Sequence, residues 1–124
     1  MSLKVNIRKV ENEDLDFVYK AICELENEVL DFEVFEMIFN ENISNSKNLY
    51  LIAENGNEGL GFVSFHTQNL LHHCGLVGEI QEFFIHQKYR GQGVGRLLIN
   101  EILDFAQKNN LKSIMFFNVI FLSL

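Results

Sequence analysis

Arg90-Gly91-Gln92-Gly93-Val94-Gly95-Arg96 lies between a largely apolar run, Ile80 to Ile85, and a stretch with helical periodicity. Three glycines in five residues let a backbone approach a ligand where a Cβ would collide, and they permit turns with φ > 0. At a strand-to-helix junction, free N–H groups and the positive end of the helix dipole together form a site for a diphosphate. An ordinary glycine-rich turn has the same composition, so the flanks decide between the two.

Those flanks exclude two familiar phosphate loops. A Rossmann fingerprint would need a following βαβ unit and an acidic residue closing the next strand. A Walker loop would need Gly-Lys-Ser/Thr, which does not follow. The run Gln87 to Leu98 instead resembles the coenzyme A loop of the GNAT superfamily of N-acetyltransferases. That family's pattern, Arg/Gln-x-x-Gly-x-Gly/Ala, is met by Arg90, Gly93 and Gly95. Cys23-Glu24-Leu25, Phe39-Asn40-Glu41-Asn42, Leu71-His72-His73 and Gly78-Glu79-Ile80-Gln81-Glu82 further resemble the bacterial aminoalkylphosphonate N-acetyltransferases. The resemblance implies an α+β fold, a three-layer α/β sandwich whose mixed sheet is flanked by helices. It implies transfer of an acetyl group from acetyl-CoA to a primary amine of a small molecule, with an aminoalkylphosphonate as the first candidate. Polyamines are the alternative, because Phe83-Phe84 followed by Tyr89-Arg90-Gly91 is also similar to diamine acetyltransferases.

Composition agrees with one domain over residues 1–124. A chain of 124 residues at 48% apolar can bury one core but not two. Net charge is −7, so the clustered Lys and Arg of a nucleic-acid surface are absent and no nucleic-acid partner is expected. The basic groups that matter are local: Lys88, Arg90 and Arg96. No 18-residue apolar span exists and the first ten residues lack a signal peptide's apolar core, so no membrane partner is expected. Two cysteines, Cys23 and Cys74, are fewer than an oxidising framework carries, and a cytoplasmic enzyme is expected.

The element order reads β-α-α-β-β-β-α-β. Val5 to Val10 is a short strand, and Asn12 is placed to cap a helix whose stripe is Leu15, Val18, Ile22, Leu25 and Val29. A second helix carries Phe32, Phe35, Ile38 and Phe39 on one side. Leu49 to Glu54 and Leu60 to Thr67 form a hairpin around Asn55-Gly56-Asn57-Glu58. Asn69 to Gly75 is a loop and Leu76 to Ile85 a strand. Gly93 to Lys108 forms a helix, and Leu111 to about Val119 a last strand.

The strand before the glycine loop is expected to carry the chemistry. Strict alternation puts Glu79, Gln81, Phe83 and Ile85 on one face and Ile80, Glu82 and Phe84 on the other. The resemblance implies main-chain contacts from Phe83, Phe84 and Ile85 to the pantetheine arm, by the logic of β-augmentation. It also implies coenzyme contacts from Arg90, Gly91, Gln92, Gly93, Val94, Gly95, Arg96 and, beyond the next helix, Asn118. Attack on a thioester needs an unprotonated amine, so a base must accept a proton. Glu79 and Glu82 are the candidates, and the phosphonate-enzyme context favours Glu79. Gln81 stands where several superfamily members carry a carboxylate and cannot serve as base.

His66, His72, His73 and Cys74 are a second group of chemically able side chains. Imidazole and thiolate suit transition metals, but adjacent histidines are not a standard structural spacing. The resembled phosphonate enzymes are a metal-assisted group, which implies a divalent ion without assigning ligands. A histidine lining an acceptor pocket could instead bind a phosphonate oxygen or shuttle a proton, and loop histidines beside a free cysteine are the plainer reading.

The resemblance breaks after Asn118-Val119. The superfamily continues with a Phe-Tyr pair, a helix and a closing strand, and the Tyr protonates the departing thiolate. Here Ile120-Phe121-Leu122-Ser123-Leu124 follows, with no tyrosine after Tyr89. The expectation is a shortened domain lacking the final strand-helix-strand portion, with an open sheet edge that favours a homodimer. A catalytically impaired remnant that binds acetyl-CoA or only dimerises is the alternative function.

Overall fold

The computed structural model describes residues 3–116. Five strands form one sheet in the order β1 (Asn6–Lys9), β2 (Asn48–Asn55), β3 (Glu58–Leu70), β4 (Gly75–Ile85) and β5 (Ser113–Phe116). The first three pairings are antiparallel and the last, β4 with β5, is parallel. Helices α1 (Leu15–Glu26) and α2 (Phe32–Ile43) cover one face, and α3 (Val94–Lys108) covers the other. The three layers and the element order are those expected from the sequence. Among the described residues no helix is long and apolar enough to cross a membrane.

Local chemistry sets the boundaries. A short 3₁₀ turn, Asn12–Asp14, precedes α1, and its Asp14 carboxylate accepts from the Glu11 N–H at 2.7 Å, so Asn12 is not the cap. Helix α1 stops at Glu26 because Asn27 adopts a left-handed conformation (φ 55°), which asparagine tolerates. Val29 therefore falls outside the helix and is 88% exposed, although its spacing matched the apolar stripe. Asp31 caps α2, its Oδ1 accepting from the Val34 N–H at 3.1 Å. Gly56, at φ 62°, makes the tight β2–β3 turn. Arg8 ties β1 to its surroundings through Asp14 at 2.8 Å and Glu54 at 2.9 Å.

The α3 face holds the larger core. Leu98 and Ile102 pack on Leu51, Val63, Phe65 and Ile80, all buried. Gly78 shows how closely this layer fits, since a Cβ there would lie 2.0 Å from Phe65 Cζ, in a ring with no exposed surface. Gly78→Ala is expected to cost about 1–3 kcal/mol of stability through overpacking, read as a lowered urea midpoint. An unchanged midpoint would show that Phe65 has room to move.

Strand β4 departs from simple alternation. Its register against β3 runs Ser64↔Glu82 and then Phe65↔Ile80, leaving Gln81 as an unpaired extra residue. The bulge shifts the side-chain phase by one. Ile80, Phe83 and Ile85 all join the α3-face core. Glu82 and Phe84 face the opposite layer, where Phe84 meets Phe17 of α1 edge to face. Glu79 pairs with His66, two residues along β3 from Ser64, and so lies on the same face as Glu82. The expected division, with Glu79 and Glu82 on opposite faces, is thus overturned by one inserted residue.

Candidate active site

Between the sheet and the α1–α2 layer lies a cavity of about 230 Å³. Its walls are mostly Val18, Ile22, Leu30, Phe35, Ile38 and Phe39. Phe62, Tyr50, Asn42 and Glu82 complete it, so Glu82 is its one charged lining residue among those described. The amphipathic spacing of α1 and α2 explains the apolar walls. The sheet positions of Tyr50 and Glu82, each opposite Ser64, explain the polar floor.

Glu82 is held in place by Ser64, which is fully buried. The Ser64 hydroxyl donates to Glu82 Oε1, and the Glu82 backbone N–H donates back to Ser64 Oγ at 3.0 Å. Beside them runs a second chain of bonds. Asn42 Nδ2 donates to Tyr50 Oη at 2.9 Å, and Tyr50 Oη lies 2.9 Å from His66 Nε2. Burial and the negative charge of Glu82 push the Tyr50 phenol up to about 12, so it keeps its proton. Tyr50 Oη thus links Asn42 to His66, and which of Tyr50 and His66 donates between them follows the imidazole tautomer. Burial also holds the His66 pKa below its ordinary value, with the charges of Glu82 and Glu79 opposing.

A depressed folded-state pKa means that the unfolded chain takes up the His66 proton first. The stability this site contributes is full above the unfolded value near 6.5 and is lost as pH falls through the lower folded value. Replacing His66 by Gln keeps a hydrogen-bond acceptor and removes the titration. His66→Gln should therefore lose less stability than the wild type between about pH 7.5 and 5, measured by urea denaturation at each pH. Parallel losses in the two proteins would remove His66 from the acid response.

Glu79 sits differently. Like Glu82 it is half-buried, but it accepts from Gln68 Nε2 at 3.3 Å at the surface. The two carboxylates share a face, but only Glu82 lines the cavity. Sequence reasoning missed the Asn42–Tyr50–His66 chain, because separations of 8 and 16 residues leave no local pattern.

The coenzyme candidates gather at the far end of β4. Strand β5 pairs with β4 only from Val77 to Ile80, so the edge from Gln81 to Ile85 has no strand partner among the described residues. Phe83 is half-buried, and Phe84 and Ile85 are buried. Arg90 folds back so that its Nε donates to the Ile85 carbonyl at 3.0 Å, bracing the turn into the loop. Gln92 Nε2 donates to Lys88 O at 3.3 Å. Gly91 (φ 79°) and Gly93 (φ 87°) take left-handed conformations, with open space where a Cβ would point. Gly93 opens α3, no side chain caps that end, and Val94 and Gly95 are buried in its first turn. Arg96 is exposed on the same turn. A strand edge that is open among the described residues and runs into uncapped helix amides fits a pantetheine arm and a diphosphate. Asn118 lies outside the described residues.

The histidine and cysteine group does not converge. His72 and His73 occupy a 3₁₀ turn between β3 and β4 with ring centroids 4.4 Å apart, and Cys74 after it is exposed. His66 is committed to Tyr50. Among the described residues, no three His, Cys, Asp or Glu side chains are grouped to hold a metal ion.

The family model described as Acetyltransferase (GNAT) family matches residues 13–120. The chain is 38% identical over 93 residues to aminoalkylphosphonate N-acetyltransferase of Salmonella typhimurium, an alignment covering 75% of this chain and 60% of that protein. The chain thus spans about 60% of the length of that relative. A transcriptional regulator from Bacillus halodurans C-125 superposes with a TM-score of 0.84 at 21% identity, covering 94% of this chain and 83% of that one. A predicted acetyltransferase with acetyl-CoA from Clostridium acetobutylicum gives 0.76 at 18% identity, over 91% and 80%. At those identities the structures show the fold. The family match carries further: this chain belongs to the GNAT acetyltransferase family.

Proposed function

We propose that this chain is an N-acetyltransferase that moves an acetyl group from acetyl-CoA to a primary amine, with Glu82 as the base. The observation that carries this reading is one strand doing two jobs. Glu82 lines an apolar cavity on β4, and the same strand's edge, without a strand partner from Gln81 onward among the described residues, leads directly into the glycine loop. Acetyl-CoA supplies a thioester whose carbonyl carbon an uncharged amine can attack. Gly91, Gly93 and the first-turn amides of α3 would hold its diphosphate, and the Gln81–Ile85 edge its pantetheine arm. Backbone N–H groups on that edge would polarise the carbonyl as an oxyanion hole does.

Glu82 accepts the ammonium proton, directly or through a water, and Ser64 keeps the carboxylate in one orientation. Tyr50, as a phenol that holds its proton, positions His66 rather than serving as base. A departing thiolate needs protonation less than an alkoxide would, so the chemistry does not hinge on one general acid. Incubating the chain with acetyl-CoA and a panel of primary amines tests the proposal by thiol release and by the mass of the product. No release above the amine-free rate with any amine would overturn it. A second reading, an aminoalkylphosphonate acceptor, is favoured by the 38% identity with the Salmonella typhimurium enzyme.

A further inference from the structure

We infer that the acceptor of this chain is a monoamine on a short apolar body, aromatic or branched, rather than an anionic aminophosphonate or a polyamine. The inference rests on the amine N-acetyltransferase reading and deepens it. The cavity beside Glu82 is lined by aliphatic and aromatic carbon, and among the described residues no lysine, arginine or histidine lines it. A phosphonate carries negative charge that would have to leave water for this surface, with the Glu82 carboxylate repelling it and no cation among the described lining residues to pair with. A polyamine has the opposite difficulty, since among the described lining residues only one carboxylate, Glu82, meets its several ammonium groups.

A single ammonium near Glu82, with apolar substance beyond it, matches both features. Phe35, Phe39, Phe62 and Tyr50 offer ring faces and edges that suit an aryl group. The cavity's 230 Å³ is below the roughly 300–1,000 Å³ of pockets for drug-sized ligands, which favours a compact body. Ile38 lines the cavity yet is 47% exposed, which puts it at the rim.

The experiment is calorimetry on the full 124-residue chain with phenethylamine, aminomethylphosphonate and spermidine as probes. Phenethylamine should bind at least about tenfold more tightly than either of the others. Ile38→Lys, at a half-exposed helix position that tolerates charge, should weaken phenethylamine by about tenfold or more, with an unchanged thermal midpoint as the folding control. Tighter binding of aminomethylphosphonate, or phenethylamine binding indifferent to Ile38→Lys, overturns the inference. Thiol-release assays separate the two levels. Turnover of aminomethylphosphonate without phenethylamine binding sinks the inference and leaves the transferase reading intact. Phenethylamine binding lost in Ile38→Lys, but with no turnover of any amine, supports the ligand class and sinks the transferase reading.

Discussion

Glu82→Gln should lower kcat by about 10²–10⁴-fold, the usual worth of a positioned general base, while leaving the Kd for acetyl-CoA unchanged within about twofold. The substitution is nearly isosteric. Its amide oxygen can still accept from Ser64, so the floor of the cavity keeps its shape, but it cannot accept the proton of an ammonium substrate. The loss should appear in kcat across the pH range rather than in coenzyme affinity, because the coenzyme is expected on the strand edge and the loop. Glu79→Gln reads the alternative that the sequence context favoured. If that variant shows the drop and Glu82→Gln does not, the base is the surface carboxylate bonded to Gln68. Equal, small effects would mean that the amine loses its proton to bulk water before it binds.

Gly93→Glu should weaken acetyl-CoA binding by more than about 100-fold, through two effects at one position. The backbone at φ 87° is a conformation that a side chain strains, at about 1–2 kcal/mol. The added carboxylate also places negative charge at the positive end of α3, where the diphosphate is expected. Gly93→Ala divides the two, since it brings the strain without the charge and should lose only about 10-fold. Calorimetric titration of acetyl-CoA into each variant, with circular dichroism to confirm folding, is the measurement. Unchanged affinity in Gly93→Glu would mean that the loop does not hold phosphate.

Much of this was legible in the sequence. Glycines at 91, 93 and 95 between a strand and an amphipathic helix announced a loop of left-handed residues, and Gly91 and Gly93 adopt that conformation. The periodicities of α1, α2 and α3 and the turn chemistry at Gly56 placed the elements in their observed order. What failed was local. Spacing extended α1 to Val29, but Asn27 ends the helix because a left-handed asparagine outweighs one apolar residue in register. Alternation misassigned the faces of β4, since a bulge is fixed by pairing with β3 and leaves no mark in β4 itself. The Asn42–Tyr50–His66 chain depends on the packing of α2 over β2 and β3, which no short window contains. The expectations of a shortened sheet and a homodimer fall on residues 117–124, outside the described residues.

The unpaired Gln81 has one more consequence. Ile80 and Glu82 on either side of it pair with adjacent residues of β3, Phe65 and Ser64, so the ladder is already continuous across the extra residue. Removing Gln81 would close the bulge and leave Glu82 opposite Ser64 on the cavity side, with Ile80 and Phe83 still toward α3. What the residue supplies is therefore the bend and added twist of a bulged strand, at the point where the described pairing with β5 ends. A single-codon deletion there would straighten the path from the carboxylate to the glycine loop while keeping every side chain on its present face.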